Sequence, residues 1–111
     1  MLRSIKSSQR LPRCLLFRVT GATPLINEGA TDATIARTAA GDYTLTFIVP
    51  FLRTPVVMIT PVSTTGDVIS SVHTVSTTSL RVVFCDGTDG VTLKEANFHL
   101  QVVGFDSADF T

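Results

Sequence analysis

This sequence of 111 residues has no tryptophan, one tyrosine, two cysteines and two histidines. Charged residues make up only 16% and hydrophobic residues 44%. This composition excludes a disordered chain, which carries many charges and few apolar residues. No apolar run approaches the roughly 20 residues that a membrane-spanning helix needs. We therefore expect one folded domain without a membrane span, because a chain of this length buries one core rather than two.

The scarcity of cysteine bears on how the domain is held together. Cys14 and Cys85 lie far apart in the sequence, and small secreted domains held by disulfides usually contain more cysteines. We favour two free, buried thiols, with a bridge between them as the alternative. No C-x-x-C motif or Cys/His cluster predicts a zinc site.

Fingerprints of catalysis and of cofactor binding are also missing, since neither G-x-G-x-x-G nor G-x-x-x-x-G-K-[ST] occurs. His73 and His99 lie in predicted strands without a nucleophile or carboxylate pair beside them, so we assign each a surface or packing role. The loop DGTDG at Asp86–Gly90 resembles part of a calcium loop but lacks its spacing and its distal glutamate. A plain turn is favoured there, because Asp-Gly is a common turn pair. We predict no enzyme and no cofactor.

Alternating apolar residues are what the sequence does contain. The strongest alternation runs from Tyr43 to Val49 and ends at Pro50, because proline has no N–H for a sheet ladder. A second apolar run, Val56–Thr60, lies between Pro55 and Pro61. We expect these two strands to form an antiparallel pair joined by a tight loop. The residues expected on the buried face of the first are Tyr43, Leu45, Phe47 and Val49.

Further short strands follow the same pattern, and no segment has helical periodicity. We expect a loop at Gly21–Gly29 and an edge strand at Thr31–Thr38. The total of seven or eight strands predicts an all-β antiparallel β-sandwich or jelly roll with an extended N-terminal arm. The other predicted strands are Cys14–Thr20, Val68–Val75, Leu80–Cys85 and Phe98–Phe105.

Serine and threonine occupy many positions that we expect to point outward. They are interpreted as the solvated face of a sheet, with an adaptable contact surface for sugar or protein as the alternative. The residues concerned are Thr44, Thr46, Ser70, Thr74, Thr77 and Thr78.

Charge is divided unevenly along the chain. Five basic residues precede the first acidic residue, Glu28, which leaves four basic residues against all nine acidic ones. Such asymmetry is typical of an interaction tail. We divide the chain into a basic arm, residues 1–13, and a β domain, residues 14–111. A mitochondrial presequence has a similar composition and is the alternative interpretation of the arm.

We expect the arm to bind an acidic protein surface through its charges and apolar anchors. Nucleic acid is the less favoured partner, because the acidic body would repel a polyanion and the arm has no aromatic residues to stack on bases. The predicted partner-binding residues are Leu2, Arg3, Ile5, Lys6, Arg10, Leu11 and Arg13.

Three segments, YTLTFIVPFLRTPVVMITPV, LRVVF and FHLQVVGF, resemble small all-β modules of tailed bacteriophages. In size and layout the chain is most similar to the capsid decoration (staple or cement) proteins of epsilon15-like short-tailed bacteriophages, over residues 41–104. The resemblance implies a jelly-roll virion structural protein, made late, that lies on the outer surface of the capsid and fastens neighbouring major capsid proteins. It implies no catalytic residue, no cofactor and no membrane.

Two further expectations accompany this resemblance. Exposed edge strands of two copies would pair across a two-fold axis, which predicts a homodimer on the capsid. The alternative function is a carbohydrate-binding tip of a tail fibre, because similar strand patterns recur there. The chain has no fibre shaft and few aromatic residues for sugar stacking, which favours the capsid protein.

Overall fold

The computed structural model describes residues 12–22, 24–62 and 66–105, and this part of the chain contains eight β-strands and no helix. No helix there is long and apolar enough to cross a membrane. The strands are β1 (Pro12–Thr20), β2 (Leu25–Glu28), β3 (Ala33–Ala39), β4 (Asp42–Phe47), β5 (Val56–Val62), β6 (Val68–Val75), β7 (Ser79–Asp86) and β8 (Asn97–Phe105).

The strands form two antiparallel sheets of four strands each. Sheet A has the order β2-β1-β8-β5, and sheet B has the order β3-β4-β7-β6. The first strand pairs with the last, from Pro12 opposite Phe105 to Val19 opposite Phe98, and β4 pairs with β7. The predicted all-β antiparallel sandwich is confirmed.

One core lies between the two sheets, because every second side chain of the central strands points inward. The rings of Tyr43, Phe84 and Phe98 form its centre, with centroids 4.7–5.9 Å apart. The alternation predicted for β1, β4, β7 and β8 is confirmed. Other buried members are Leu15, Phe17, Val19, Ile26, Ala33, Leu45, Phe47, Phe51, Leu80, Val82, Ala96, Leu100 and Val102.

The predicted pairing of the two proline-flanked strands is wrong. β4 pairs with β3 and β7, whereas β5 pairs with β8 in the other sheet. The connection between β4 and β5, residues 48–55, crosses from one sheet to the other instead of making a hairpin. Val49 follows the end of β4 at Phe47 and is exposed, so its predicted place on the buried face is also wrong.

The end of one strand and the content of one loop differ from the prediction. Pro61 does not end β5 but lies within it, which is tolerated because β5 is an edge strand with one side unpaired. Leu25–Glu28 is a short strand within the predicted loop, paired to β1 around a register shift after Arg18. The predicted edge position of β3 is confirmed.

The structure also shows whether the two cysteines are bridged and where the β domain begins. Cys14 and Cys85 are both free, which confirms free thiols, but Cys14 is exposed and not buried as predicted. β1 begins at Pro12, so Pro12 and Arg13 belong to the sandwich and not to the arm. The rest of the predicted arm, residues 1–11, lies outside the described residues.

Candidate functional site

The chain enters and leaves the sandwich at the same end. Pro12 lies opposite Phe105 in the ladder of β1 and β8. The N–H of Leu52, in the crossing connection, donates to the carbonyl of Phe105 over 2.9 Å. The basic segment 1–11 therefore joins the body where the crossing connection packs beside the last strand.

Arg13 is held in place by the body at this junction. Its Nη2 donates to the carbonyl of Val49 over 2.8 Å. Its guanidinium carbon lies 3.9 Å from the centroid of the Phe51 ring, a cation–π distance. Of the seven predicted partner-binding residues, only Arg13 is among the residues that the structure describes. It anchors the start of β1, whereas binding by the other six stays a prediction.

Three large apolar side chains beside this junction face solvent. We call Val49, Leu52 and Phe105 the junction patch; their exposed fractions are 48%, 40% and 44%. Leu52 and Phe105 are linked by the backbone hydrogen bond described above, and Val49 accepts from Arg13. These hydrogen bonds bring the main chains of the three residues to one junction, and exposed apolar side chains that are grouped in this way are typical of contact surfaces.

The outward side of sheet A is a second apolar surface. Side chains that are paired across adjacent strands share a face, so three lateral rows can be read from the register. Leu16 and Val56 are 63% and 64% exposed, and Met58 is 49% exposed. We call these rows the outer face of sheet A: Cys14, Val103 and Val56; Leu16, Gln101 and Met58; Arg18, His99 and Thr60.

One end of this face is polar and carries no net charge. Arg18 Nη2 lies 2.6 Å from Oε1 of Glu28 on the neighbouring strand β2. An open groove of about 500 Å³ runs over this end and the middle row, lined by Leu16, Met58, His99 and Gln101 among others. Gln101 also donates weakly to Cys14 Sγ over 3.7 Å. The groove is a shallow contact surface rather than an enclosed cavity.

The two histidines lie in different sheets. His73 is exposed on the edge strand β6 of sheet B, and His99 is exposed on the outer face of sheet A. The surface role assigned to each from sequence agrees with this exposure. Within the described ranges, no group of three His, Cys, Asp or Glu side chains is arranged to hold a metal ion.

The aspartates of the DGTDG loop close the loop itself. Asp86 accepts from the backbone N–H of Thr88 over 2.9 Å. Asp89 accepts from the N–H groups of Val91 and Thr92 over 2.9 and 3.0 Å. The Thr92 hydroxyl also donates to Asp89, and these hydrogen bonds lower the pKa of Asp89 to about 2. The turn interpretation accounts for both carboxylates.

The outward side of sheet B is polar. Thr46 and Thr74 are exposed there as predicted, but Ser70 is half-buried and pairs with the buried Phe84, so it faces inward. Arg81 donates to both carboxylate oxygens of Asp42, over 2.9 and 2.8 Å. Its hydrogen bonds lower the pKa of Asp42. This face fits the solvated surface favoured from sequence.

The junction patch and the outer face of sheet A were both missed from sequence. One signal was available in each of β1 and β5. A strand with a single buried face alternates apolar and polar residues, whereas the run VVMI in β5 and the pair Leu15 and Leu16 in β1 are apolar on both faces. Apolar residues on the second face indicate a second contact surface.

No protein-family model matches this chain, and no curated protein or solved structure is significantly similar to it.

Proposed function

We propose that this protein is a non-enzymatic structural protein of a bacteriophage virion. It binds the outer surface of the capsid and staples neighbouring major capsid proteins together. The observation that carries the proposal is the position of the basic segment, which joins the sandwich beside the exposed junction patch. The resemblance of residues 41–104 to capsid decoration proteins supports the same assignment.

The two parts of the junction supply two different contacts. Val49, Leu52 and Phe105 supply apolar area, which stabilises a contact by about 25 cal/mol for each Å² removed from water. The basic segment supplies Arg3, Lys6 and Arg10 for an acidic surface, with Leu2, Ile5 and Leu11 as apolar anchors. Arg13 fixes the point from which the segment starts.

A protein that fastens two neighbouring subunits must also span the distance between its two binding sites. Eleven residues in extended conformation span at most about 36–40 Å, which is enough to pass from one protein subunit to its neighbour. Binding of the patch then raises the effective concentration of the segment at its own site. Because the protein binds only the assembled lattice in this proposal, it stabilises that lattice by mass action.

The test is attachment to purified heads of the phage that encodes the protein, prepared without it. Wild-type protein should pellet with the heads, and deletion of residues 1–11 should reduce the bound amount at least about tenfold, by loss of the linked contact. Deletion of residues 106–111 is the matched control, because it shortens the chain at the same end without removing a basic residue. Circular dichroism checks that each variant keeps the β-sheet signal.

Full occupancy by the variant without residues 1–11 would overturn the proposal. A triple substitution of Val49, Leu52 and Phe105 by serine tests the other contact. We expect it to lower the bound amount while the basic segment is intact.

The groove of sheet A supports carbohydrate binding as a second candidate function. Its lining includes Arg18, His99, Gln101 and Thr60, whose polar groups can hydrogen-bond sugar hydroxyls. None of the nine residues that line the groove is tyrosine or tryptophan, and the one phenylalanine, Phe17, is buried in the core, so the groove has no large exposed ring on which a sugar could stack. Glycan-array binding that is lost in Gln101→Ala, together with no attachment to heads, would favour this function.

A further inference from the structure

We propose that the outer face of sheet A is the contact between two copies of this chain. The inference is tested apart from the attachment at the junction patch, because Leu16, Met58 and Gln101 are not part of that patch, although the register places Phe105 at the end of the same face. It also differs from the pairing of edge strands expected from sequence, since here two sheet faces pack on each other.

Exposed apolar side chains occupy neighbouring rows of this face. Leu16, Val56 and Met58 each expose about half or more of their surface. The register places Leu16 and Met58 on either side of Gln101, and Val56 beside Val103 and Cys14. A single exposed apolar residue is normal, but adjacent rows of them are typical of an interface.

The charges on this face balance each other. The ionised pair on this face, Arg18 and Glu28, neutralises itself over 2.6 Å. A surface selected for a strongly charged partner would carry an excess of the opposite charge. A face with no net charge can meet an identical face without repulsion, which favours a second copy.

The face is complementary to a second copy of itself. A two-fold axis parallel to β8 places Leu16 of one copy over Met58 of the other, and the reverse contact forms by symmetry. The same axis brings the two Gln101 side chains together. A glutamine amide has both donor and acceptor atoms, so it can hydrogen-bond its own copy. Apolar rows then meet apolar rows and polar rows meet polar rows.

The area suits a weak dimer. Only β1, β8 and β5 overlap about this axis, since β2 has no strand opposite it beyond β5. These three strands contain 9, 9 and 7 residues. At about 3.3 Å per residue and about 4.8 Å between strands they give a face of roughly 400 Å² per copy. The total of roughly 800 Å² lies below the range of standard interfaces, so we expect the dimer to form only at high protein concentration. Edge pairing through β5 is less suitable, because Pro61 removes a hydrogen-bond donor from that edge.

Light scattering during gel filtration of the whole chain tests the inference. At about 1 mM, a concentration suited to a weak interface of this size, the mass of wild-type protein should rise from the 11.9 kDa of one chain toward twice that value. Met58→Glu should give a monomer, because each copy would then bury a charge against Leu16. Val91→Glu is the matched control: Val91 is 78% exposed on a loop outside sheet A, so this variant should stay dimeric.

The exposed thiol of Cys14 gives a second readout on the same face. A maleimide should label it several-fold more slowly in the wild-type dimer than in Met58→Glu. Gln101→Lys should likewise give a monomer, which keeps the test valid should Met58→Glu not fold.

Three results would overturn the inference. A wild-type monomer with freely reactive Cys14 shows an uncovered face. A wild-type monomer whose Cys14 becomes reactive only when residues 1–11 are deleted shows a face covered by the chain's own segment. A dimer that survives both Met58→Glu and Gln101→Lys forms elsewhere. None of these results depends on attachment to heads, so the proposed function is tested separately.

Discussion

Within the part of the chain that the structure describes, Tyr43 is the one side chain of the core that carries a polar group. Its hydroxyl donates to Oε1 of Glu95 over 2.9 Å, and Arg37 donates to both oxygens of the same carboxylate, over 2.7 and 3.2 Å. Gly21 leaves room for the hydroxyl, since a Cβ there would lie 2.4 Å from it. Burial first, and then the hydrogen bond to Glu95, raise the pKa of Tyr43 to about 12.

This raised pKa predicts a loss of stability at high pH. The neutral phenol is favoured in the folded state, whereas the unfolded chain releases the proton near pH 10. The free energy of unfolding should therefore be unaffected by Tyr43 below pH 10 and should fall as the pH rises from about 10 to about 12. Tyr43→Phe should lose this dependence and cost about 1 kcal/mol at neutral pH through the lost hydrogen bond.

Because Tyr43 is the only tyrosine in the chain, phenolate absorbance reports it directly. The titration midpoint should lie near 12 in folded protein and near 10 in urea-unfolded protein. A folded midpoint close to 10 would show that burial and Glu95 do not act on the phenol as described.

At the scale of elements, the crossing connection between β4 and β5 decides how the two sheets are joined. Phe51 anchors it: the residue is 2% exposed, and its ring packs edge-to-face on Phe47 with centroids 5.0 Å apart. Its N–H donates to the carbonyl of Thr77 over 2.8 Å. Phe51 therefore fixes the connection to the core, and the guanidinium group of Arg13 covers its ring.

We predict that Phe51→Ala lowers the free energy of unfolding by about 3–5 kcal/mol, because it removes a buried ring and leaves a cavity. Leu52→Ala, one residue further on, should change it by less than about 0.5 kcal/mol, since Leu52 is an exposed residue of the junction patch. Urea denaturation of the two variants measures both values. Equal effects would mean that Phe51 does not hold the connection.

The same connection shows what could be predicted from the sequence. Alternation in Tyr43–Phe47 and in Phe98–Val102 predicted the strands and their buried faces, because side-chain direction is a local property. Strand pairing, in contrast, depends on residues far apart in the sequence. Pro50 and Pro55 indicate a connection between two strands, but the same prolines are compatible with a hairpin and with a connection that crosses between sheets. The two exposed apolar surfaces were missed for a related reason, since apolar residues on both faces of a strand do not indicate which face meets the core.

On the scale of the whole molecule, the basic residues are divided between body and segment. Three arginines of the body pair with acidic residues of the body: Arg18 with Glu28, Arg37 with Glu95 and Arg81 with Asp42. The basic segment contains Arg3, Lys6 and Arg10 and no acidic residue. Residues 12–111 contain six basic and nine acidic residues, so the body is acidic by three charges, whereas the basic segment carries three positive charges.

This division predicts how attachment to heads depends on salt. Screening shortens the range of exposed charges from about 30 Å at 0.01 M to about 8 Å at 0.15 M ionic strength, so wild-type affinity should fall steeply as salt is added. Replacing Arg3, Lys6 and Arg10 by glutamine should weaken binding at low salt and flatten its salt dependence. Replacing Leu2, Ile5 and Leu11 by serine should weaken binding at every salt concentration without changing the slope.

Sedimentation of each variant with heads over a salt series measures both the affinity and the slope. The two triple variants are matched, because each changes three side chains of the same segment and leaves the sandwich untouched. They separate attraction between charges, which salt screens, from apolar anchoring, which salt does not weaken. An unchanged slope in the glutamine variant would place the charge-dependent contact on the body, and the basic segment would then serve only as an apolar tether.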